Sequence, residues 1–169
     1  MVLADYLVKN GVLETPRIID AFREVDRKDF VPDALRDLAY EDYPLDIGWG
    51  QTISQPYTVA FMLELLEPEE ESIILDIGHG SGWTTALLAH IAKKVYALER
   101  IKELCEFGKK NIEKYRKLAH RVVFLCQDAT HDLPDIKFDR IIAGAAARSY
   151  VPEIWKDHLK VGGRMVVPI

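Results

Sequence analysis

Cysteine is nearly absent from this 169-residue chain, which holds only Cys105 and Cys126. Two thiols are too few for a disulfide framework and their spacing fits no metal motif, so both read as reduced, ordinary residues. Also missing is any run of about 18 uncharged apolar residues, which excludes a membrane-spanning helix. Positive charge is short: 22 Lys and Arg stand against 27 Asp and Glu, a formal net charge of −5. Phosphate backbones are held by positive surfaces, so nucleic acid is not expected as a partner. The opening Met1-Val2-Leu3-Ala4-Asp5 has an early acid and no basic start, unlike a secretory signal, and a cytoplasmic protein working as a monomer is expected. His79, His90, His120, His131 and His158 include no H-x-x-x-H pair, so no metal site is expected. Repeats and low-complexity tracts are lacking too. What remains is 49% hydrophobic residues, too apolar for disorder and enough for one core.

Residues 1–55 and 56–169 read differently. Up to Phe30 the pattern is short and helical, with Thr15-Pro16 as N-cap and first-turn proline and Ile18, Ile19, Phe22 and Val25 at helical spacing. From Val31 to Gln55 the periodicity disappears, and Pro32, Pro44, Gly48 and Gly50 punctuate a stretch carrying Tyr40, Tyr43 and Trp49. A long irregular segment in a compact domain is more often functional than idle, although these three aromatics read individually as packing residues. Pro56 then opens a helix through Leu66, capped by Ser54 or Gln55.

After Glu71 strands and helices alternate. Strands are expected at Ser72–Ile77, Lys94–Leu98, Val122–Cys126, Phe138–Ala143 and Arg164–Ile169, with helices at Thr84–Ala92, Ile101–Lys117 and Pro152–Leu159 between them. Such alternation implies an α/β fold with a doubly wound, mainly parallel sheet. Residues 1–55 are then expected as N-terminal helices and an active-site segment packed on a core formed by 56–169, one compact domain in all. The last strand has no flanking element to protect its edge.

Leu75-Asp76-Ile77-Gly78-His79-Gly80-Ser81-Gly82 is a strand running into a glycine turn that opens a helix. Gly78, Gly80 and Gly82 let the backbone approach a ligand at the carboxyl end of a central strand. The dinucleotide pattern wants a further glycine where Trp83 stands, no Lys-Ser/Thr follows for a Walker A loop, and Ser81 lies beside the wrong glycines for a hydrolase elbow. Glu99 closes the next strand, where an acid can hold both ribose hydroxyls of an adenosine cofactor. Asp128 closes the third, where it can take the adenine amino group. A glycine turn and a ribose-binding acid without phosphate-binding features point to S-adenosylmethionine, whose positive methionyl and sulfonium end suits Asp76. Asp76 can equally cap the turn's N–H groups, and His79 reads as a solvent-facing turn residue. The basic residues Lys102, Lys109, Lys110, Lys114, Arg116 and Lys117, interleaved with Glu103, Glu106 and Glu113, read as a solvated helix face.

Ile47-Gly48-Trp49-Gly50-Gln51-Thr52-Ile53-Ser54-Gln55-Pro56 resembles the protein-L-isoaspartate (D-aspartate) O-methyltransferase family. The resemblance extends over nearly the whole chain through Phe30-Val31-Pro32, Ala39-Tyr40-Glu41-Asp42, the glycine turn, Leu98-Glu99-Arg100-Ile101, Phe138-Asp139, Gly144-Ala145-Ala146-Ala147 and Gly162-Gly163-Arg164-Met165-Val166-Val167-Pro168. It implies a class I S-adenosylmethionine methyltransferase with a Rossmann-like core. The implied activity is methylation of the free α-carboxylate of L-isoaspartyl residues in damaged proteins and peptides, which starts repair through a succinimide and yields S-adenosyl-L-homocysteine. By position Ser54 matches the family's active-site serine. Ile47, Gly48, Trp49, Gly50, Gln51 and Thr52 match the cofactor and substrate entrance, and Asp76, Gly78, Gly80, Gly82, Glu99, Asp128 and Ala129 match cofactor-contacting positions. Three departures stand out. Ala129 replaces a glycine and adds bulk beside the adenine, Arg148 replaces a proline, and the family's further C-terminal strands do not follow Pro168. Alternatives are a catalytically weak module that keeps cofactor recognition, a class I methyltransferase acting on another carboxylate, and a dinucleotide oxidoreductase, which Trp83 disfavours.

Overall fold

The computed structural model describes residues 3–145 and 150–169. Short helices α1 (Leu3–Lys9) and α2 (Pro16–Glu24) are followed by two 3-10 helices at Arg27–Phe30 and Asp33–Leu38 and by an antiparallel hairpin of β1 (Leu45–Gly48) and β2 (Gln51–Ile53). The irregular stretch of the sequence is therefore built from elements too short to show a period. Pro16 and Pro56 open α2 and α3 (Pro56–Leu66), as the fixed φ of proline favours. Neither expected cap works through its own side chain. The Thr15 hydroxyl donates to Glu64 of α3 at 2.6 Å. At the start of α3, Gln55 occupies the cap position and donates from Nε2 to the Asp42 carbonyl, while Asp42 Oδ1 accepts the Tyr57 N–H at 2.8 Å. The cap thus comes from 15 residues upstream, and Ser54 is not it.

Strands β3 (Ile73–Ile77), β4 (Lys94–Leu98), β5 (Val122–Leu125), β6 (Phe138–Ala143) and β7 (Leu159–Val166) form one parallel sheet in the order β5-β4-β3-β6-β7. Helices α4 (Trp83–Ile91), α5 (Lys102–Glu113), α6 (Arg116–Ala119) and α7 (Glu153–Asp157) occupy the connections. The sheet reverses direction of winding at β3, whose near-continuous burial matches a central strand covered on both faces. Apolar side chains of α1 and α2 join those of α3 and α4 in one buried cluster with Ile74 and Val95, while Leu75, Leu98, Phe138, Ile141 and Trp155 form a second.

Two expectations are corrected here. The last strand begins at Leu159, not after the glycines, because Gly162 and Gly163 form a bulge: Phe138 pairs with Leu159 and Arg140 with Arg164. Glycine reads as a strand end in a sequence, but here Gly162 takes φ +78° inside the strand. The cysteines are not free. Cys105 of α5 and Cys126 after β5 are joined in a disulfide with Cα atoms 5.7 Å apart. Joining positions 21 residues apart stabilises a fold by about 3 kcal/mol through the freedom removed from the unfolded chain. Among the described residues no helix is long and apolar enough to cross a membrane, and no cluster of His, Cys, Asp or Glu could hold a metal ion.

Helix α5 lies directly on the glycine turn. A Cβ on Gly108 would stand 2.7 Å from the Gly80 carbonyl oxygen and from the His79 ring, and one on Gly82 would stand 2.9 Å from the Gly108 oxygen. Asn111, one turn on, donates to the Ser81 carbonyl at 3.0 Å. Gly108→Ala would gain about 1 kcal/mol from helix propensity, yet the backbone it meets cannot swing aside. The expected outcome is net destabilisation of about 1–3 kcal/mol by overpacking, read from the denaturant midpoint. A stabilised variant would show that the contact yields.

Candidate active site

A cavity of about 740 Å³ opens over the carboxyl ends of the parallel strands. Small-molecule sites span roughly 300–1,000 Å³. Its floor is Gly78 and Gly80, its walls include Glu99, Arg100, Leu104, Gln127, Asp128 and Ala129, and Gln51, Thr52 and Ser54 border it from the hairpin side. A polar recess of about 50 Å³ adjoins it, lined among others by Asp76, Ser81, Trp83 and Thr84. Thr52 and Ser54 belong to both spaces.

Each acid is held differently. Glu99 is 6% exposed, and its two carboxylate oxygens accept the N–H groups of Gly80 at 3.1 Å and Ile101 at 3.0 Å. Each oxygen keeps a further acceptor position, so a diol could still bind. Asp128 takes the N–H and hydroxyl of Thr130 on Oδ1, and these bonds hold its carboxyl below the usual range. Asp76 is buried, and burial pushes its carboxyl up to about 7 despite the 2.5 Å bond from the Thr85 hydroxyl. Asp76 therefore serves Thr85 and the recess rather than the N–H groups of the turn.

The hairpin departs from expectation. Gly48, Trp49 and Gly50 all have positive φ and form its tight turn, outside the cavity wall, with Trp49 strained at φ +53°. The Trp49 ring, half exposed, lies 6.3 Å from Phe107 of α5. Ile47 is buried because strand alternation turns it inward, and it packs beneath Gly80 rather than at an entrance. Gln51, Thr52 and Ser54 alone bring this motif to the cavity. Tyr40 and Tyr43 do not pack inside: they are 48% and 42% exposed.

His79 is likewise not solvent-facing. It is 5% exposed, its Nδ1 lies 3.2 Å from the Gly80 oxygen, and its edge meets Phe124. Burial pulls its pKa down, against the opposing pull of Glu99. Ala129 is buried with its carbonyl accepting the Trp155 indole N–H at 2.9 Å, and it needs no positive φ, which is why alanine fits. Ala146, Ala147 and the Arg148 departure lie outside the described residues.

The sequence hid one central residue. Arg27, 1% exposed, donates to four carbonyls: Ala39 at 2.7 Å, Glu41 at 3.3 Å, Tyr43 at 3.1 Å and Ser54 at 3.1 Å. Its guanidinium also sits 5.3 Å from the centre of the Trp83 ring at the start of α4. Burial lowers its pKa to about 10, so it stays charged at neutral pH. Nothing in local periodicity marks an arginine whose partners are 12 to 27 residues away. Thr85 and Trp155 were missed for the same reason.

A glycine turn with acids at the ends of the next two strands, on a sheet ordered β5-β4-β3-β6-β7, defines a class I S-adenosylmethionine methyltransferase architecture. Comparison with known proteins narrows it. The family model described as Protein-L-isoaspartate(D-aspartate) O-methyltransferase matches residues 2–169. A protein-L-isoaspartate O-methyltransferase of Petrotoga mobilis is 44% identical over 99% of this chain and 78% of its own length. One from Staphylothermus marinus is 42% identical over 98% of this chain and 76% of its own. A crystal structure from Plasmodium falciparum, described as a protein-L-isoaspartate O-methyltransferase in complex with S-adenosyl-L-homocysteine, superposes with a TM-score of 0.88 at 28% identity, covering 99% of this chain and 82% of that one. The chain belongs to the protein-L-isoaspartate (D-aspartate) O-methyltransferase family.

Two outcomes are expected. Arg27→Met strands the four carbonyls and should lower stability by about 2 kcal/mol or more, while Arg27→Lys, a single point donor, recovers only part; unfolding midpoints decide. For Asp76, the folded pKa of about 7 exceeds the unfolded 3.8, so its contribution is fully present below pH 3.8 and is lost as pH rises through about 7. Melting temperature should fall between about pH 4 and pH 7 in the ligand-free protein and level off above that, and fall less in Asp76→Asn. Parallel curves for the two proteins would remove Asp76 as the source.

Proposed function

We propose that this protein methylates the free α-carboxylate of L-isoaspartyl residues in damaged proteins and peptides, using S-adenosyl-L-methionine and releasing S-adenosyl-L-homocysteine. The observation that carries this reading is the position of Ser54 at the junction between the cavity bearing Glu99 and Asp128 and the recess bearing Asp76. A cofactor spanning both spaces has its transferable group beside Ser54.

The residues present fit that cofactor. Glu99 offers acceptors to a ribose diol and Asp128 to an adenine amino group. Asp76 meets the cationic methionyl end from the recess it lines. Gly78 and Gly80 keep the floor low, with Gly82 at the start of α4, and Ala129 stands against the base. Bound there, the cofactor supplies an electrophilic methyl group. Gly48, Trp49 and Gly50 act through the turn that places Gln51 and Thr52, and Ile47 supports Gly80.

The substrate's own chemistry sets what the chain must do. An α-carboxyl with pKa about 3.3–3.7 is already an anion at neutral pH, so no general base is required. Placement is the task, and correct placement of two reactants can supply about 7–11 kcal/mol of barrier reduction. The Ser54 hydroxyl is available for it, because Arg27 binds its carbonyl and Asp42 rather than Ser54 caps α3. A carboxylate held by a neutral hydroxyl keeps its nucleophilicity better than one paired with a buried cation. We place this activity in a cytoplasmic monomer. The net charge of −5 supports a protein rather than a nucleic-acid substrate.

The test is methyl transfer to an isoaspartyl peptide beside the matching normal aspartyl peptide, with S-adenosyl-L-homocysteine affinity measured in parallel. Turnover of the isoaspartyl peptide alone is expected, and Ser54→Ala should lower it about tenfold to hundredfold with cofactor affinity and melting temperature near wild type. Binding without turnover would favour a module that only recognises the cofactor; full activity of the variant would remove Ser54 from the reaction.

A further inference from the structure

We propose that Cys105 and Cys126 form a reversible thiol-modification site whose oxidation state sets cofactor affinity, the modifying partner being a small or protein dithiol. The inference rests on the cavity of the preceding subsection being the cofactor site.

The cavity's two facing walls come from separate segments. Glu99, Arg100 and Leu104 lead into and begin α5; Gln127, Asp128 and Ala129 follow β5. Cys105 directly follows Leu104, and Cys126 directly precedes Gln127. The disulfide therefore joins the two walls at the residues next to their lining positions. Little else does. Among the described residues no hydrogen bond links 99–104 to 127–130: the Gln127 side chain donates to Asp132 and Asp128 accepts from Thr130, both within their own loop. The nearest other tie is the Glu99 N–H to the Leu125 carbonyl at 3.1 Å, at the strand end. A covalent link across a cleft pre-organises the cleft, and pre-organisation raises affinity by lowering what binding must order.

The two sulfurs are also unequal. Cys126 is exposed, whereas Cys105 is buried in the first turn of α5. Only Cys126 Sγ is open to an attacking thiolate, and Cys105 is then the sulfur that leaves. In the step, a thiolate of the dithiol attacks Cys126 Sγ, the protein S–S bond breaks and Cys105 leaves as thiolate and takes a proton. The dithiol's second sulfur then displaces Cys126 and closes the dithiol's own disulfide. Two electrons pass from dithiol to protein, and the reverse exchange with an oxidised dithiol restores the bond. In a cytoplasmic setting disulfides that form are mostly of this responsive kind.

The experiment uses the whole chain with dithiothreitol as the dithiol. Alkylation followed by mass measurement counts thiols, circular dichroism follows the fold, and calorimetry gives S-adenosyl-L-homocysteine affinity. The expected result is no alkylated cysteine before reduction and two after it, with the fold retained, binding weakened on the order of tenfold, and recovery on reoxidation. The double variant Cys105→Ser, Cys126→Ser should bind like the reduced chain whether or not dithiothreitol is present. Equal affinity in the two states overturns the proposal while leaving the cofactor site intact. Two free thiols without reductant overturn it as well, as does a chain that unfolds on reduction, the bond then being a plain staple. No binding in either state overturns both this proposal and the cofactor reading beneath it.

Discussion

A buried guanidinium organises the functional half of this molecule. Residues 39–44 and Ser54, on either side of the hairpin, have no ladder with which to satisfy their own carbonyls, and an unpaired buried carbonyl costs on the order of 1–3 kcal/mol. Arg27 resolves this by presenting a rigid fork of donors to four of them at once. Its position over Trp83 then couples that loop to the first turn of α4. The hairpin, Ser54 and the glycine turn are thereby registered to one another by a single side chain. Charge serves here as a scaffold without any ion pair, since the partners are backbone dipoles.

A second constraint is the contact of α5 with the glycine turn. A helix this close to a turn needs a glycine on each side, and the sequence places Gly108 in mid-helix at a loss of helix propensity. The gain is a turn that cannot sag, with Asn111 holding Ser81 and Glu99 holding Gly80. Asp76 sits behind it with its carboxyl pushed up to about 7 by burial, which limits the cost of an anion at that place.

How much of this could be read from the sequence follows from the range of each interaction. Strands β3 to β6 and the roles of Glu99 and Asp128 as strand-end acids were legible, because a hydrophobic run ending in a turn is local information. So was the doubly wound, parallel character of the sheet, since alternating strands and helices leave few topologies. His79 was misread because its burial comes from α5 and β5, which no window around residue 79 contains. The disulfide was invisible for a similar reason: counting cysteines gives a prior on compartment, while pairing depends on the first turn of α5 meeting the segment that follows β5. Arg27 lies inside a charged Asp-Arg-Lys-Asp stretch that resembles surface, and only the tertiary arrangement turns it inward.

The bulge in β7 bears on how the end of the strand reaches the core. Between the pairs Phe138–Leu159 and Arg140–Arg164, β6 advances two residues while β7 advances five. The surplus residues end one register and let a second begin, with Met165 opposite Ile141 and Val166 opposite Ile142. Met165 then packs on the cluster that holds Leu75 and Phe138, and Val166 on the one that holds Ile74 and Val95. The two glycines that obscured where the strand begins thus work as slack in the chain, taken up before its apolar end meets the core on both faces of the sheet.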